Sequence, residues 1–126
     1  MSRLFVLLAA LYGFTGVALG AFAAHGLRGR LSPEYLAVFH TGVLYQLVHA
    51  LALLGAGALA LHWRSRLLGT AGGLFAVGIL LFSGSLYLLT LTGLRVGPVT
   101  PLGGVCLLAG WLCLGIAAWR APSRGQ

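Results

Sequence analysis

Four long apolar stretches without charged residues occupy nearly the whole of this 126-residue chain, and ionisable residues delimit each of them. A helix crosses the hydrocarbon core of a bilayer in about 20 residues at about 1.5 Å per residue, so each stretch is long enough to span. The pattern predicts an all-α integral membrane protein, a single domain over residues 1–126 that forms a bundle of four transmembrane helices with up-down topology. The spans are predicted at residues 4–24, 35–62, 67–92 and 99–119.

The composition excludes a soluble domain and argues against a nucleic-acid-binding protein. Apolar residues make up 60% of the chain and charged residues only 7%, too few to cover a water-facing surface. The net charge of +7 comes from arginines that are scattered over the ends of the spans and form no basic face. We therefore expect the lipid bilayer, and no nucleic acid, as a partner.

The arginines also predict an orientation. The positive-inside rule places the more basic side of the membrane protein in the cytoplasm. Five arginines lie at the termini and in the second connector, against three in the first and third connectors: Arg3, Arg64, Arg66, Arg120 and Arg124, against Arg28, Arg30 and Arg95. We expect a multi-pass protein of the bacterial inner (plasma) membrane with both termini in the cytoplasm.

The first span resembles a secretory signal, because it ends in the small-residue pattern Ala21-Phe22-Ala23. Its apolar run of about 21 residues is longer than the usual core of a signal peptide. We expect this span to be retained as a transmembrane helix.

The first and third connectors share their turn residues. Gly26 and Gly93 are suited to a left-handed helix end, and Ser32-Pro33 and Thr100-Pro101 to a capped helix start. One interpretation is therefore that the four-helix bundle consists of two tandem helical hairpins. The alternative is that shared turn chemistry alone makes the two connectors similar.

Small residues recur at four-residue spacing in three spans, which lets helix backbones approach closely in lipid. We expect packing within the bundle, and a homo-oligomer or a larger membrane complex stays open. Cys106 and Cys113 are interpreted as packing residues. The small residues are Ala9, Gly13, Gly16, Gly20, Ala24, Ala52, Ala56, Ala60, Gly69 and Gly73.

His49 lies near the middle of the second span, where an ionisable side chain is costly unless it has a partner. Other polar residues lie in the same sector of that helix or on the third span, so a polar or ligand site is predicted there. The alternative is a set of interhelical hydrogen bonds, each worth about 1 kcal/mol, that fix the geometry of the bundle. The candidate site residues are Thr41, Tyr45, Gln46, His49, Ser83, Ser85 and Tyr87.

A second candidate cluster, His25, Glu34 and His40, is predicted on the periplasmic side. His25 and His40 are the pair to test for a b-type haem, while Glu34 suits the positive end of a helix dipole. The chain has neither Asp nor Lys, and no carboxylate pair or metal-binding motif. We therefore expect no catalytic residues, no metal site, no cofactor and no enzymatic activity.

Several segments resemble the small membrane protein family labelled domain of unknown function 423, which includes YgdD-like and transmembrane protein 256-like proteins. They are Gly20–Leu27, Phe39–Gln46, His49–Leu53, Gly78–Tyr87, Thr92-Gly93, Thr100–Gly104 and Gly110-Trp111. Ala24 departs from the family pattern, where glycine is expected. The resemblance implies a four-helix inner-membrane protein without an established activity. Its signature falls on His25, Thr41, Gln46, His49, Ser83, Gly84, Ser85, Tyr87, Thr100, Pro101 and Gly104.

Two functions are therefore weighed. The leading hypothesis is a non-enzymatic bundle that acts through helix packing with itself or with a membrane complex, because packing glycines outnumber chemically competent groups. The alternative is a small-molecule, lipid or proton-conducting site around His49, which requires a cavity that reaches this residue in mid-membrane.

Overall fold

The computed structural model describes residues 1–122, and within that range the chain forms four α-helices and no strands. All four helices are long and apolar enough to cross a membrane, which confirms the all-α membrane bundle. The helices are α1 (Ser2–His25), α2 (Pro33–Leu59), α3 (Arg66–Thr92) and α4 (Val99–Arg120). Arg124, which contributed to the predicted orientation, lies outside the described residues.

The central helices of the bundle are α2 and α3. Helices that are consecutive in the chain pack side by side, α1 on α2, α2 on α3 and α3 on α4. Within the apolar windows of α2 and α3, 44% and 39% of the residues are buried, against 17% and 22% in α1 and α4. The outer two helices therefore present most of their surface to lipid.

The main core lies where the side chains of α3 meet those of its neighbours. Phe75 and Leu68 of α3, Leu53 of α2 and Leu107 of α4 are among its buried members. The outward faces are apolar as well, since large side chains such as Phe14 are exposed there. Hydrocarbon is the solvent for these faces, so their exposure carries no hydrophobic penalty.

Glycines allow the close contacts between helices. A Cβ atom at Gly103 would collide with the backbone of Phe82, so α3 and α4 touch through their main chains at this point. A Cβ at Gly16 would lie 2.6 Å from Leu47 Cδ2. By contrast, a Cβ at Gly13 or Gly73 would meet nothing within 4 Å in the described part of the chain. The small-residue spacing thus serves packing within the chain at some positions and leaves others open.

The connectors bear out half of the predicted turn chemistry. Gly93 ends α3 in the left-handed region with φ 75°, and the Ser32 side chain accepts a hydrogen bond from Tyr35 N at 3.2 Å, as predicted. The left-handed conformation expected at Gly26 is wrong, because its φ is −88°. A Cβ at Gly26 would lie 2.6 Å from the Phe22 ring, so glycine gives this ring its space.

The predicted cap at Thr100 is also wrong. Helix α4 begins at Val99 with Pro98 in the capping position, and no side chain caps it. The Thr100 hydroxyl pairs with Ser85 of α3 instead. The two connectors are therefore less alike in structure than in sequence, which weakens the interpretation as two tandem hairpins.

Candidate functional site

Gln46 joins three helices in the interior of the bundle. Its side chain is buried, and its Nε2 donates to Tyr12 O at 2.9 Å and to Thr15 Oγ1 at 2.8 Å on α1. Its Oε1 accepts from the Tyr87 hydroxyl of α3 at 2.6 Å. Because a backbone carbonyl can only accept, the contact with Tyr12 fixes the orientation of the amide. Gln46 therefore acts as a hub of interhelical hydrogen bonds.

Two serines of α3 hold neighbouring helices in the same way. Ser83 donates to Gly42 O of α2 at 2.6 Å. Ser85 donates to Phe82 O at 2.8 Å and pairs with Thr100 of α4. Within residues 1–122, no buried side-chain nitrogen or oxygen lacks a hydrogen-bond partner. These groups fit the structural interpretation, in which each bond contributes about 1 kcal/mol to helix association.

His49 is held on both sides of its ring. Its Nε2 lies 2.9 Å from Trp111 Nε1 of α4, and its Nδ1 lies 2.8 Å from Tyr45 O one turn earlier in α2. The indole N–H can only donate, so His49 Nε2 accepts and Nδ1 carries the proton that is donated to the carbonyl. This arrangement requires the neutral imidazole, with the tautomer fixed by its two partners.

Aromatic rings surround the His49–Trp111 pair. Phe75 contacts both, with its ring centroid 5.9 Å from that of His49 and 5.1 Å from that of Trp111. Tyr45 stacks on His49 at 5.8 Å and contacts Phe82 at 4.6 Å. The histidine thus lies in an aromatic environment formed by α2, α3 and α4.

A cavity of about 660 Å³ opens beside this pair, between α2 and α4, and is called the lateral cleft below. Its wall is largely apolar, and several lining side chains are exposed at its mouth, Leu108 by 71%. The cleft therefore opens sideways, toward lipid, and its inner wall carries the His49–Trp111 pair. Its lining residues are Leu44, Tyr45, Val48, His49, Phe82, Pro101, Gly104, Val105, Leu107, Leu108 and Trp111.

The structure divides the predicted polar stripe into separate places. Tyr45 and His49 line the cleft, whereas Gln46 points into the interior between α1 and α3, since neighbouring residues on a helix differ by about 100°. Tyr87 and Ser83 join the interior on the side of Gln46, and Ser85 lies between α3 and α4.

Thr41 is not part of either group, because its side chain is exposed and donates to Ala37 O of its own helix at 3.1 Å. Trp111 is the site residue that the sequence reasoning missed. A tryptophan in the middle of a membrane span, away from the interfaces where this residue is enriched, needs an acceptor for its indole N–H. That signal was present in the sequence.

The second candidate cluster lies at the end of the bundle that carries the first and third connectors. His25 is the last residue of α1, Glu34 is in the first turn of α2, and His40 lies within α2. All three side chains are exposed. Among residues 1–122, no group of three or more His, Cys, Asp or Glu residues is arranged to hold a metal ion.

The chain is similar to a family whose proteins are named only as membrane proteins. The family model described as "Protein of unknown function (DUF423)" matches residues 19–104. The UPF0382 membrane protein YwdK of Bacillus subtilis is 44% identical over 122 residues, which cover 92% of this chain and 96% of that protein. The UPF0382 inner membrane protein YgdD of Escherichia coli K12 is 43% identical over 126 residues, with 98% and 95% covered. No solved structure matches the chain.

Proposed function

Because this chain belongs to the DUF423 family of membrane proteins and has four membrane-spanning helices, we propose that it acts inside the bilayer as a non-enzymatic binding protein. The ligand is an apolar chain, such as the hydrocarbon tail of a lipid, which enters the lateral cleft between α2 and α4 from the membrane. This is the alternative function of the sequence analysis, narrowed to an apolar ligand.

The main support for this proposal is the shape and lining of the lateral cleft. Ligand sites are typically concave and mostly apolar, with a few polar groups at defined positions. The cleft has this character, because apolar residues form most of its wall and the polar atoms of His49 and Trp111 meet at its inner side. From Pro101 to Trp111 it follows α4 for about 15 Å, at about 1.5 Å per residue, which suits an extended hydrocarbon chain.

The state of His49 supports binding of an apolar chain over proton conduction. A proton relay needs a nitrogen that exchanges with water, but both ring nitrogens of His49 already have protein partners. The cleft beside it is largely apolar and offers no chain of polar groups. No carboxylate lines it, and the nitrogens of His49 are already bonded to Tyr45 O and to Trp111, which favours a binding protein over an enzyme.

A second candidate function is self-association or assembly into a larger complex through α3, as in the leading hypothesis of the sequence analysis. Gly73 and Gly84 lie about three turns apart on one face of α3, and a Cβ at either would meet nothing within 4 Å in residues 1–122. Val77 and Leu80, on the same face, are exposed. A lipid-facing strip with two glycines permits the close approach of another helix.

The experiment for the cleft uses one variant that fills it and a matched one that does not. Gly104 lines the cleft, and a Cβ there would lie 3.8 Å from Phe82, an ordinary contact, so Gly104→Leu adds bulk to the cleft without a collision at Cβ. Gly115→Leu makes the same change on α4 away from the cleft lining, where nothing lies within 4 Å.

Trp111 reports on the cleft when Trp63 and Trp119, the other two tryptophans, are replaced by Phe. In bilayers of lipids with brominated tails, we expect strong quenching of Trp111 fluorescence, reduced by Gly104→Leu and unchanged by Gly115→Leu. Native mass spectrometry on the same variants identifies a retained lipid. Equal quenching in the two variants, together with no retained mass that Gly104→Leu removes, would overturn the proposal.

A further inference from the structure

Three arginines converge on one cavity at the end of the bundle where α2, α3 and α4 meet the second connector. The cavity has a volume of about 270 Å³ and is called the three-arginine cavity below. Arg64 and Arg66 come from the connector and the start of α3, and Arg120 is the last residue of α4. Trp63 and Leu67 contribute to the same wall.

Within the described residues 1–122, no side-chain carboxylate is placed to neutralise these charges. Glu34 is the only acidic residue in the sequence, and it lies in the first turn of α2. The opposite end of this 27-residue helix is about 40 Å away, several screening lengths at physiological salt. The three arginines are exposed, so an external anion can reach them.

The positive-inside rule does not by itself explain the cavity. That rule requires basic residues near the ends of the spans on one side of the membrane, and they can be distributed over separate loops. Here residues from two distant segments of the chain line the same cavity, where like charges repel each other. Such an arrangement is stabilised when an anion occupies the space between the charges.

The surroundings of the cavity indicate the class of anion. Guanidinium groups bind phosphate oxygens in a bidentate geometry. Trp63 is half-buried at the end of the span, the level at which indole rings lie among lipid headgroups. Leu67 and the buried Ala117 provide apolar surface on the membrane side of the arginines. Basic pockets between membrane helices are a known mode of anionic headgroup binding.

We propose that the three-arginine cavity binds the phosphate headgroup of an anionic phospholipid, with its acyl chains lying along the outer surface of the neighbouring helices. The proposal is independent of the lateral cleft, since the two cavities share no lining residue. A phospholipid is favoured over free phosphate because the arginines stand at the ends of membrane spans, next to apolar side chains that a soluble anion would not use.

The test is a lipid titration followed by native mass spectrometry of delipidated protein in a neutral detergent. The probes are phosphatidylglycerol and phosphatidylcholine with identical acyl chains. The double variant Arg66→Gln, Arg120→Gln removes two of the three charges, and Arg28→Gln, Arg30→Gln removes two charges from the opposite end of the bundle. Circular dichroism verifies that both variants keep their helices, and Arg66→Lys, Arg120→Lys tests the guanidinium geometry at unchanged charge.

We expect the wild type to bind phosphatidylglycerol more tightly than phosphatidylcholine, with a preference on the order of tenfold. The cavity variant should lose this preference, the opposite-end variant should keep it, and the lysine variant should be weaker than the wild type. Equal binding of the two lipids, an equal loss in both glutamine variants, or displacement of the lipid by equimolar glycerol phosphate would overturn the proposal. The last result would indicate a site for a soluble phosphate.

Discussion

At the scale of single residues, the need for a hydrogen-bond partner was easier to predict than the partner. The position of His49 in the middle of a span required a partner, and the structure supplies Trp111 at 2.9 Å. Which residue approaches His49 depends on how α4 is rotated about its own axis relative to α2. The sequence does not determine that rotation, because apolar residues are spread around all sides of these helices and mark no single inward face. The same reasoning applies to Gln46, whose partners come from both α1 and α3.

The His49–Trp111 hydrogen bond should contribute measurably to stability. We expect His49→Phe and Trp111→Phe each to destabilise the protein, because each leaves one polar group without its partner in apolar surroundings, where no water replaces it. The double variant should lose less than the sum, with a coupling energy of about 0.6 kcal/mol and at most about 1.7 kcal/mol, as for other hydrogen bonds in membranes. Unfolding in mixed micelles measures this, with the highly exposed Trp119→Phe as control. Strict additivity would contradict the pairing.

At the scale of helices, the sequence predicted the elements well and their ends less well. The uncharged stretches delimited all four helices, because spanning requires length and apolarity and little else. Turn chemistry correctly predicted Gly93 and Ser32, where the local backbone decides the outcome. It failed at Gly26 and Thr100, where packing against Phe22 and Ser85 decides instead. The capping preferences of turn residues therefore predict the helix ends, except where packing against a side chain from another turn or helix determines the backbone instead.

The lipid-facing strip of α3 that contains Gly73 and Gly84 can be tested as a helix interface. If a second copy packs there, Gly73→Leu and Gly84→Leu should each block the close approach of helices and shift a dimer toward the monomer. Neither substitution collides at Cβ within the described chain, so the fold should be retained. Cross-linking in native membranes and the mass measured in detergent report the oligomeric state.

The matched control on another face is Gly115→Leu, which adds the same side chain to α4. If the wild type is a monomer, or if the oligomer persists in both α3 variants, this face of α3 is not an interface. Gly16→Leu is unsuitable as a test of association. Its Cβ would lie 2.6 Å from Leu47, so it would disturb the packing of α1 on α2 directly.

At the scale of the whole molecule, the arrangement of the helices explains why a cleft exists. Both outer helices pack mainly against their neighbour in the chain, α1 against α2 and α4 against α3. Helix α4 approaches α2 through the Trp111 side chain, and space remains between the two helices toward the connector that precedes α4. Composition and periodicity predicted the bundle but gave no information about this space. The space depends on which helices pack against each other, and these sequence features do not specify that.

The distribution of charge over the whole molecule leads to the last prediction, the orientation in the membrane. Helices α2 and α4 end, and α1 and α3 begin, on the same side of an up-down bundle, so Arg3, Arg64, Arg66 and Arg120 share one end. Arg28, Arg30 and Arg95 lie in connectors at the other end, together with Glu34. From the positive-inside rule we expect the first group, and both termini, to lie in the cytoplasm.

Reporter fusions after the last residue test this orientation. A carboxyl-terminal green fluorescent protein should fluoresce, and a carboxyl-terminal alkaline phosphatase should be inactive, because the first folds in the cytoplasm and the second needs an oxidising compartment. The opposite pattern would contradict the orientation. Replacing Arg64 and Arg66 by Gln leaves three arginines at the termini, Arg3, Arg120 and Arg124, against Arg28, Arg30 and Arg95 in the other two connectors. It should therefore produce a mixed orientation, whereas replacing Arg28 and Arg30 should leave the original one unchanged.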